Sequence, residues 1–238
     1  MTLITHYSAQ QFQENYPPGI EHHFWHHARN GIIAATLFQT GMGAGRLLEI
    51  GCGTGIVIDH LRREGINCVG CDLADPPIIN SVREFVSPGT DFRDLPAATR
   101  SNIEGVLLCD VLEHVPDAAS FLTAIRGALP ALRRVLVTVP ARRELWSVWD
   151  DHYGHYRRYD RPSLCAELGC AGLQLTLVRY FFHTLYGAMY LTRQKRSEKI
   201  EAPQSCLPHR LIGACFRAEY KLLPSWLPGT SLIAVASA

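Results

Sequence analysis

The sequence feature that most limits how this chain can fold is a glycine-rich turn after a short apolar run. Residues 47–55 read LLEIGCGTG, so glycines stand at alternate positions behind the acid Glu49. The run suits a buried parallel strand, and glycine lets backbone approach a ligand where a Cβ would collide. Residues 56–64 have helical spacing, which places helix N–H groups at the turn. The pattern predicts a nucleotide-type pocket at the carboxyl end of the first strand of an α/β sheet.

The spacing of these glycines separates two kinds of nucleotide site. Dinucleotide folds use G-x-G-x-x-G and set a pyrophosphate on the helix N-terminus, whereas Gly51, Gly53 and Gly55 follow G-x-G-x-G. This spacing disfavours a nicotinamide oxidoreductase. An acid such as Glu49 suits an ammonium group better than a pyrophosphate. The segment 49–55 resembles the first motif of the class I S-adenosylmethionine-dependent methyltransferases. A glycine-rich turn without a ligand is the alternative.

The rest of the chain supplies strands for such a sheet. Apolar runs end at Asp72 and Asp110, another covers residues 133–141, and spacers of helical periodicity separate them. Asp72 follows the second strand, where it can accept both ribose hydroxyls. The resemblance implies that Asp91 accepts from the adenine amino group and that Phe92 packs on the ring. The full set of predicted cofactor-binding residues is Trp25, Arg29, Glu49, Gly51, Gly53, Gly55, Asp72, Leu73, Asp91, Phe92 and Asp110.

The resemblance implies a Rossmann-like α/β fold with a seven-stranded sheet. Residues 1–43 form an N-terminal helical lid in this prediction, in which residues 22–38 have helical spacing. The cofactor-binding domain comprises residues 44–182 and 230–238. Residues 183–229 form a helical insertion, or acceptor cap, before the last strand. In this fold the final strand runs antiparallel between strands 5 and 6, which would explain why residues 230–238 are so apolar.

Several motifs narrow the resemblance to a group of small bacterial methyltransferases that act on small molecules. HFWHHARNGII, CDVLEHVPD and HYGHYRRYDRPSL occur here in the same order as in that group. Its lid helix carries an aromatic residue four positions before an arginine, here Trp25 and Arg29. The resemblance implies that Arg29 binds the carboxylate of S-adenosylmethionine, for which a guanidinium fork is suited. A surface arginine of the helix is the alternative.

The acceptor side offers two candidate bases, His114 and His155, since histidine can take a proton near neutral pH. A purely structural role for His114 in its turn is the alternative. Residues 145–162 form a polar, aromatic-rich loop on the cofactor side of the sheet, where acceptor pockets form. Arginines there suit a carboxylate or phosphate, or they pair with nearby acids to order the loop. The predicted substrate-binding residues are His114, Trp146, Tyr153, His155, Tyr156 and Arg157.

No metal is expected, but alternatives exist. D-x-x-E-H at residues 110–114 resembles the E-x-x-E-H of metal-assisted quinone-biosynthesis O-methyltransferases, in which Asp110, Glu113 and His114 would be the ligands. The pairs His22/His26 and His23/His27 share helix faces without an evident third ligand. Cys68 and Cys71 form a C-x-x-C along a predicted strand, where we expect core thiols.

Composition limits the partners and the compartment. The 238 residues are 47% hydrophobic, which excludes general disorder, and a formal net charge of +1 gives no electrostatic case for nucleic acid. Eight cysteines, mostly in apolar segments, no secretory signal pattern and no membrane-length apolar run favour a cytoplasmic location. A monomer or homodimer is expected. Residues 179–199 predict an aromatic-rich helix packed in the core, followed by a basic run. Weak contact of that basic run with a lipid acceptor or a membrane surface is the alternative.

These observations predict an enzyme that transfers a methyl group from S-adenosylmethionine to a small molecule and leaves S-adenosylhomocysteine. Oxygen is the preferred acceptor atom. Methylation of nitrogen or sulfur in a biosynthetic small molecule, and a non-catalytic S-adenosylmethionine-binding module, are the alternatives.

Overall fold

The computed structural model describes residues 16–193 and 201–238. Its centre is a seven-stranded mixed sheet with the strand order β3-β2-β1-β4-β5-β7-β6. The strands are β1 (Leu47–Ile50), β2 (Cys68–Cys71), β3 (Val86–Ser87), β4 (Gly105–Cys109), β5 (Arg134–Pro140), β6 (Gln174–Phe181) and β7 (Ser231–Ser237). The five strands β1 to β5 are parallel. The order reverses at β1, and ligands of open α/β sheets bind at such a switch point.

The last strand occupies the position that the sequence predicts. β7 pairs antiparallel with β5, from Arg134 opposite Ser237 to Pro140 opposite Ser231, and antiparallel with β6 on its other side. Residues 231–236 are buried, as expected for a strand with neighbours on both edges and helices on both faces. The prediction of a Rossmann-like sheet with an inserted antiparallel strand is confirmed.

Helices cover both faces of the sheet. They are α1 (Phe24–Gln39), α2 (Ile56–Arg63), α3 (Ala97–Arg100), α4 (Ala118–Ala128), α5 (Val148–His152), α6 (Arg161–Cys170), α7 (Leu185–Thr192) and α8 (Cys206–Leu222). Short 3-10 turns lie at Ile20–His22, Met42–Ala44, Asn80–Phe85, Leu112–His114 and Arg143–Leu145.

The two faces have separate cores, because successive strand residues point to opposite sides. On one face, Leu107 of β4 and Ile233 of β7 share a cluster with residues of α1, α2 and α8. On the other face, Leu108 and Leu232, which directly neighbour them in sequence, pack with residues of α4 and α6. The sheet is therefore a middle layer whose carboxyl edge is left for a site.

The predicted N-terminal helix forms as α1, and it packs directly on the sheet. Its residues Ile32, Ile33 and Leu37 are fully buried or nearly so, and they join the core on the β1 side. Phe216 of α8 stacks on Phe24 of α1 at a centroid distance of 5.8 Å. The helical insertion before the last strand thus rests on the N-terminal helix.

The sequence predicts a strand near residues 173–182, which β6 confirms, and an overlapping helix from residue 179, which begins later. Residues 179–181 belong to β6, Phe182 takes a positive φ of 60°, and α7 begins at Leu185. Phe181 and Phe182 are buried, whereas α7 has no buried residue and Tyr190 is 42% exposed. The expectation of a core-packed aromatic helix is wrong for α7, because each of its residues keeps contact with solvent. The basic residues predicted at 195, 196 and 199 lie outside the described ranges.

The expectation of buried cysteines is confirmed for those in the strands and in the glycine turn, and it is wrong for three in helices. Cys68 and Cys71 are buried, unpaired thiols, as are Cys52 and Cys109. The helix cysteines Cys170, Cys206 and Cys215 are instead exposed. Among the described helices, none combines the length and the apolar character needed to span a membrane.

Candidate functional site

The glycine turn joins β1 to α2 in a conformation that glycine favours. Gly51, Gly53 and Gly55 have φ angles of 75°, 52° and 86°, in the left-handed region that costs other residues energy. A Cβ at Gly51 would lie 2.9 Å from Val111 Cγ2, closer than real side chains approach. The alternate glycines of the sequence therefore reflect backbone geometry at the switch point of the sheet.

Asp72 closes this turn from the end of β2. Its Oδ2 accepts the Gly53 N–H at 2.7 Å, and its Oδ1 accepts the Ala74 N–H at 2.8 Å. Burial raises the pKa of Asp72, while these two backbone hydrogen bonds lower it. Leu73, the next residue, is 36% exposed at the same edge. We call the glycine turn together with Glu49 and Asp72 the cofactor edge.

Glu49 is buried at the end of β1, with 2% of the residue exposed. Its Oε2 has no hydrogen-bond partner within the described ranges. Burial raises the pKa of Glu49 to about 8, although the nearby Arg29 opposes the shift. A buried carboxyl with an unused oxygen is costly unless a partner satisfies it. A cationic ligand group would provide that partner.

Arg29 of α1 reaches the end of β4. Its Nη1 forms an ion pair with Asp110 Oδ2, and its guanidinium lies 4.2 Å from the centroid of the Trp25 ring. Asp110 has a positive φ of 57°, and its Oδ1 accepts a hydrogen bond from Thr138 Oγ1 at 3.2 Å. A guanidinium carries five N–H donors, so the Asp110 pair leaves capacity for an anionic ligand group. The structure thus brings three predicted residues together beside the cofactor edge.

Asp91 and Phe92, which are predicted to hold adenine, make their contacts within the protein. Asp91 accepts from Arg93 through N (2.8 Å), Nε (2.8 Å) and Nη2 (2.7 Å), and hydrogen bonding from Arg93 lowers its pKa. Phe92 is 2% exposed and packs edge-on against Phe121 at 5.9 Å in the core. These contacts use the groups that the sequence analysis assigns to adenine. Adenine binding by Asp91 and Phe92 stays a prediction.

Three candidate ligand or base groups meet beyond β4. Glu113, His114 and His155 each offer a ligand atom, and these atoms lie within 4.8 Å of one another. The imidazoles of His114 and His155 pack edge-on at 4.7 Å. Glu113 is 1% exposed, its Oε2 has no partner within the described ranges, and burial raises its pKa well above the ordinary value. We call Glu113, His114 and His155 the acceptor-side cluster.

The set of residues that could bind a metal differs between the sequence prediction and the structure. The sequence suggests Asp110, Glu113 and His114 as ligands, but Asp110 is paired with Arg29. His155, from the loop after β5, takes the third position. Two imidazoles and a carboxylate are donors that a transition metal or zinc accepts. The cluster fits a cation in its donor types, and metal binding stays an alternative.

Two histidines outside α1 accept hydrogen bonds from N–H groups at its start. His23 Nδ1 accepts the Trp25 N–H at 3.3 Å, and His209 Nδ1 of α8 accepts the Phe24 N–H at 3.0 Å. Such side-chain acceptors satisfy N–H groups that have no partner within the helix. These two contacts account for part of the histidine-rich sequence by capping and helix docking.

A buried carboxylate organises the loop after β5. Asp150 lies in α5, and its side chain is fully buried. It accepts from His155 Nδ1 at 2.8 Å and from Arg158 Nε and Nη2 at 2.8 and 2.9 Å. Ser147 adds donors from N at 2.8 Å and from Oγ at 3.0 Å. Arg158 therefore pairs with a nearby acid and orders the loop, as the alternative for the arginines of this loop states.

Three of the predicted acceptor residues, Trp146, Tyr156 and Arg157, line an open cavity of about 340 Å³, within the volume range of small-molecule sites. Its lining is basic and aromatic: Arg143, Trp146, Tyr156, Arg157 and Arg158. Tyr156 is 48% exposed, and its N–H donates to the Glu113 carbonyl at 2.8 Å. This bond ties the cavity to the acceptor-side cluster. Tyr153 stacks on Trp149 at 5.6 Å and lies 6.0 Å from the His155 ring.

Arg157 is held by groups of the protein. Its Nη1 pairs with Glu167 Oε2 of α6 at 3.3 Å, and its Nη2 donates to the carbonyls of Val115, at 3.3 Å, and Pro116. Its side chain therefore orders the loop, while its predicted contact with an acceptor stays a prediction.

Three groups near the site have little or no signal in the sequence. Thr138 and Asp150 gave weak signals, as a polar residue in an apolar strand and an acid in an aromatic loop. Tyr16 gave none. Burial raises the pKa of Tyr16 to about 12, with Arg29 opposing and Asp110 adding to the shift. Tyr16 therefore belongs to the charged surroundings of the cofactor edge.

Comparison with known proteins agrees with this geometry. A family model described as a methyltransferase domain matches residues 24–178. The ubiquinone biosynthesis O-methyltransferase of Xanthomonas axonopodis pv. citri (strain 306) is 30% identical over 174 residues, which cover 63% of this chain and 71% of that protein. The protein of the same name from Hahella chejuensis (strain KCTC 2396) is 33% identical over 86 residues, which cover 33% of this chain and only 36% of that relative.

Solved structures share the fold. Magnesium protoporphyrin IX methyltransferase from Synechocystis PCC 6803, with bound S-adenosylhomocysteine, aligns with a TM-score of 0.53 at 14% identity over 89% of this chain and 82% of its own. The 1,6-didemethyltoxoflavin-N1-methyltransferase of Burkholderia thailandensis aligns with a TM-score of 0.51 at 17% identity over 86% and 75%. At these identities the likeness concerns architecture.

The family match extends from α1 into β6 and contains both the cofactor edge and the acceptor-side cluster. The sheet order, with an antiparallel strand between β5 and β6, is the one that the sequence resemblance predicts. This chain belongs to the class I S-adenosylmethionine-dependent methyltransferases.

Proposed function

We propose that this protein transfers the methyl group of S-adenosylmethionine to an oxygen atom of a small molecule and releases S-adenosylhomocysteine. The single observation that carries the proposal is the cofactor edge. There the Asp72 carboxylate is hydrogen-bonded to the glycine turn beside a buried Glu49 oxygen without a partner in the described ranges. The names of the curated relatives, which are O-methyltransferases of ubiquinone biosynthesis, favour oxygen as the acceptor atom.

The cofactor would be held by groups of opposite character along this edge. Glu49 would receive the ammonium, Arg29 the carboxylate and Asp72 the ribose hydroxyls. When bound, S-adenosylmethionine supplies a methyl group on a positively charged sulfur. Positioning and exclusion of water can then provide much of the rate enhancement, and a base is needed only where the acceptor carries a proton.

The acceptor would enter through the basic and aromatic cavity beside the acceptor-side cluster. Arg143 is exposed there, and the cavity also contains the rings of Trp146 and Tyr156. Guanidinium groups bind carboxylate or phosphate, and aromatic faces bind planar rings. This lining supports a small molecule as the acceptor. A net charge of +1 gives no support for nucleic acid.

The parts outside the sheet would enclose the two ligands. We assign residues 1–43 as a lid and residues 183–229 as an acceptor cap. The support is that Arg29 of α1 reaches Asp110 at the carboxyl edge and that α8 packs on α1. A cytoplasmic location and a monomeric or homodimeric state are the accompanying predictions.

Calorimetry and a turnover screen together test the function. We expect S-adenosylmethionine and S-adenosylhomocysteine to bind, and NADH not to bind. Phenols, amines and thiols, offered separately with S-adenosylmethionine, should show a mass gain of one CH₂ unit in the phenol set. A gain only among amines or thiols would move the acceptor atom to nitrogen or sulfur. Tight cofactor binding without any turnover would favour a non-catalytic binding module.

A further inference from the structure

The Asp150 carboxylate accepts more hydrogen bonds than are needed to order the loop. Five hydrogen bonds converge on its two oxygens, from His155, Arg158 and Ser147. Its side chain is 0% exposed and that of Arg158 is 7% exposed. A buried ion pair of this kind adds little net stability over apolar packing, so its geometry calls for another reason.

The geometry determines which nitrogen of His155 carries a proton. Both oxygens of Asp150 accept from the Arg158 guanidinium, and the Ser147 N–H donates to one of them as well, so this carboxyl is ionised. An ionised carboxylate can only accept hydrogen bonds. The His155 nitrogen at 2.8 Å, Nδ1, must therefore be the donor. In a neutral imidazole the other nitrogen, Nε2, then holds the lone pair.

The same ring lies in the acceptor-side cluster. His155 packs edge-on against His114 at 4.7 Å, and one of its nitrogens lies within 4.8 Å of ligand atoms of Glu113 and His114. Arg158, which holds Asp150, also lines the cavity next to the cluster. A carboxylate that orients a histidine beside a substrate cavity is the arrangement of a general base with its orienting partner.

We propose that His155 is the general base of the methyl transfer and that Asp150, held by Arg158, is the positioning residue that keeps His155 Nε2 unprotonated. This proposal rests on the proposed function and deepens it. The acceptor O–H bond breaks and its proton passes to Nε2. The oxygen forms a bond to the methyl carbon while the carbon–sulfur bond breaks, and that electron pair stays on sulfur. Asp150 then stabilises the imidazolium that results.

A spectroscopic test of the tautomer needs no acceptor. Long-range ¹H–¹⁵N correlation spectra of the full chain labelled in histidine nitrogen distinguish the two neutral tautomers, with S-adenosylhomocysteine present. A His155→Gln sample assigns the signal. We expect the Nδ1–H tautomer in the wild type. A dominant Nε2–H tautomer would overturn the proposal, and so would a spectrum shifted by added Mg²⁺ or Zn²⁺ at His155, because a metal ligand cannot serve as the base.

Kinetics test the positioning role. With an acceptor from the turnover screen, Asp150→Asn should lower kcat about 100-fold, within the range of general-base contributions, and leave KM and the Kd of S-adenosylhomocysteine within about twofold. The asparagine amide can donate to Nδ1 and so favours the Nε2–H tautomer. Asp151→Asn is the matched control, since this neighbouring acid contacts Trp146 Nε1 instead. It should retain wild-type kcat.

A second variant guards against loss of folding. Asp150→Asn leaves Arg158 buried without a carboxylate, whereas Asp150→Asn/Arg158→Gln removes both charges together. The double variant should show the same fall in kcat and the same tautomer change. Unchanged kcat in a folded variant would overturn the proposal. If the screen finds no acceptor at all, the proposed function fails. The wild-type tautomer still shows whether Asp150 keeps the proton of His155 on Nδ1.

Discussion

The cofactor edge and the acceptor-side cluster lie at the same end of the sheet but are built in different ways. The cofactor edge consists of backbone in a left-handed conformation, closed by a hydrogen bond from Gly53 to Asp72. The acceptor-side cluster consists of side chains from two loops. One of its two histidines, His155, is oriented by the buried carboxylate of Asp150 in α5. One part depends on local conformation and the other on long-range packing.

This difference has consequences for substitution. At the cofactor edge, a side chain added to a glycine changes the backbone itself, so binding should fail before chemistry. In the acceptor-side cluster, a substitution should alter proton positions and leave the cofactor affinity nearly intact. Substitutions in the two parts should therefore separate cofactor affinity from turnover.

Gly53→Val should abolish detectable binding of S-adenosylhomocysteine, with a loss of at least about 100-fold in affinity. A β-branched residue at a φ of 52° costs on the order of 1–3 kcal/mol and would displace the N–H that Asp72 accepts. Calorimetric titration measures the affinity, and thermal unfolding reports the stability.

Gly65→Val is the matched control. Gly65 also has a positive φ, of 80°, but nothing lies within 4 Å of a Cβ there. It should lose stability by a similar amount and keep its affinity. Equal losses of affinity in both variants would show that backbone strain alone, and not the site, explains the effect.

Asp72→Ala should weaken S-adenosylmethionine and S-adenosylhomocysteine alike by about tenfold or more, since a hydrogen bond to a charged group contributes roughly 1.5–3 kcal/mol. The ribose would lose its acceptor and the Gly53 N–H its anchor. Asp75→Ala, an exposed neighbour with the same change of charge, should bind normally. Unchanged affinity in Asp72→Ala would remove this residue from the site.

Glu49 should release a proton when S-adenosylhomocysteine binds. Its pKa is raised from the ordinary 4.5 to about 8, so it is protonated at pH 7 in the free protein. A ligand ammonium would lower that pKa, so binding at pH 7 should release up to about one proton. Titrations in buffers of different ionisation enthalpy measure this number.

Two controls isolate Glu49. Glu49→Gln should bind without that release, and 5′-methylthioadenosine, which lacks the amino-acid part, should release none from the wild type. Because the folded pKa exceeds the unfolded one, stability supplied by the neutral carboxyl is lost as pH rises from about 4.5 through about 8. Glu49→Gln should flatten that decline. An identical decline in the variant would contradict the assignment.

Removal of divalent metal should change turnover least. We expect a chelator to leave methyl transfer within about twofold of its starting rate, because proton transfer to a histidine replaces the role of a Lewis acid. Asp110, one of the ligands in the metal alternative, is occupied by Arg29. A loss of activity that Mg²⁺ restores would establish the metal alternative, and Glu113→Gln would then abolish the restoration.

The fold was predictable because its information is local. The glycine turn, the acids that end β1, β2 and β4, and the apolar last strand are each readable in a few consecutive residues. The start of α7 was predicted too early, since the positive φ at Phe182 has no glycine to signal it. The core position of Phe92 was equally hidden, because a phenylalanine beside a site and one beneath it look the same in sequence.

By itself, the sequence determined the class of sheet, the position of the cofactor edge and the acids around it. Those features follow from the spacing of neighbouring residues, which sets backbone conformation. Tertiary packing pairs Arg29 with Asp110, 81 positions away, and makes His155 rather than Asp110 complete the cluster with Glu113 and His114. Contacts between distant side chains depend on how helices and loops pack on the sheet, and no local spacing encodes that packing.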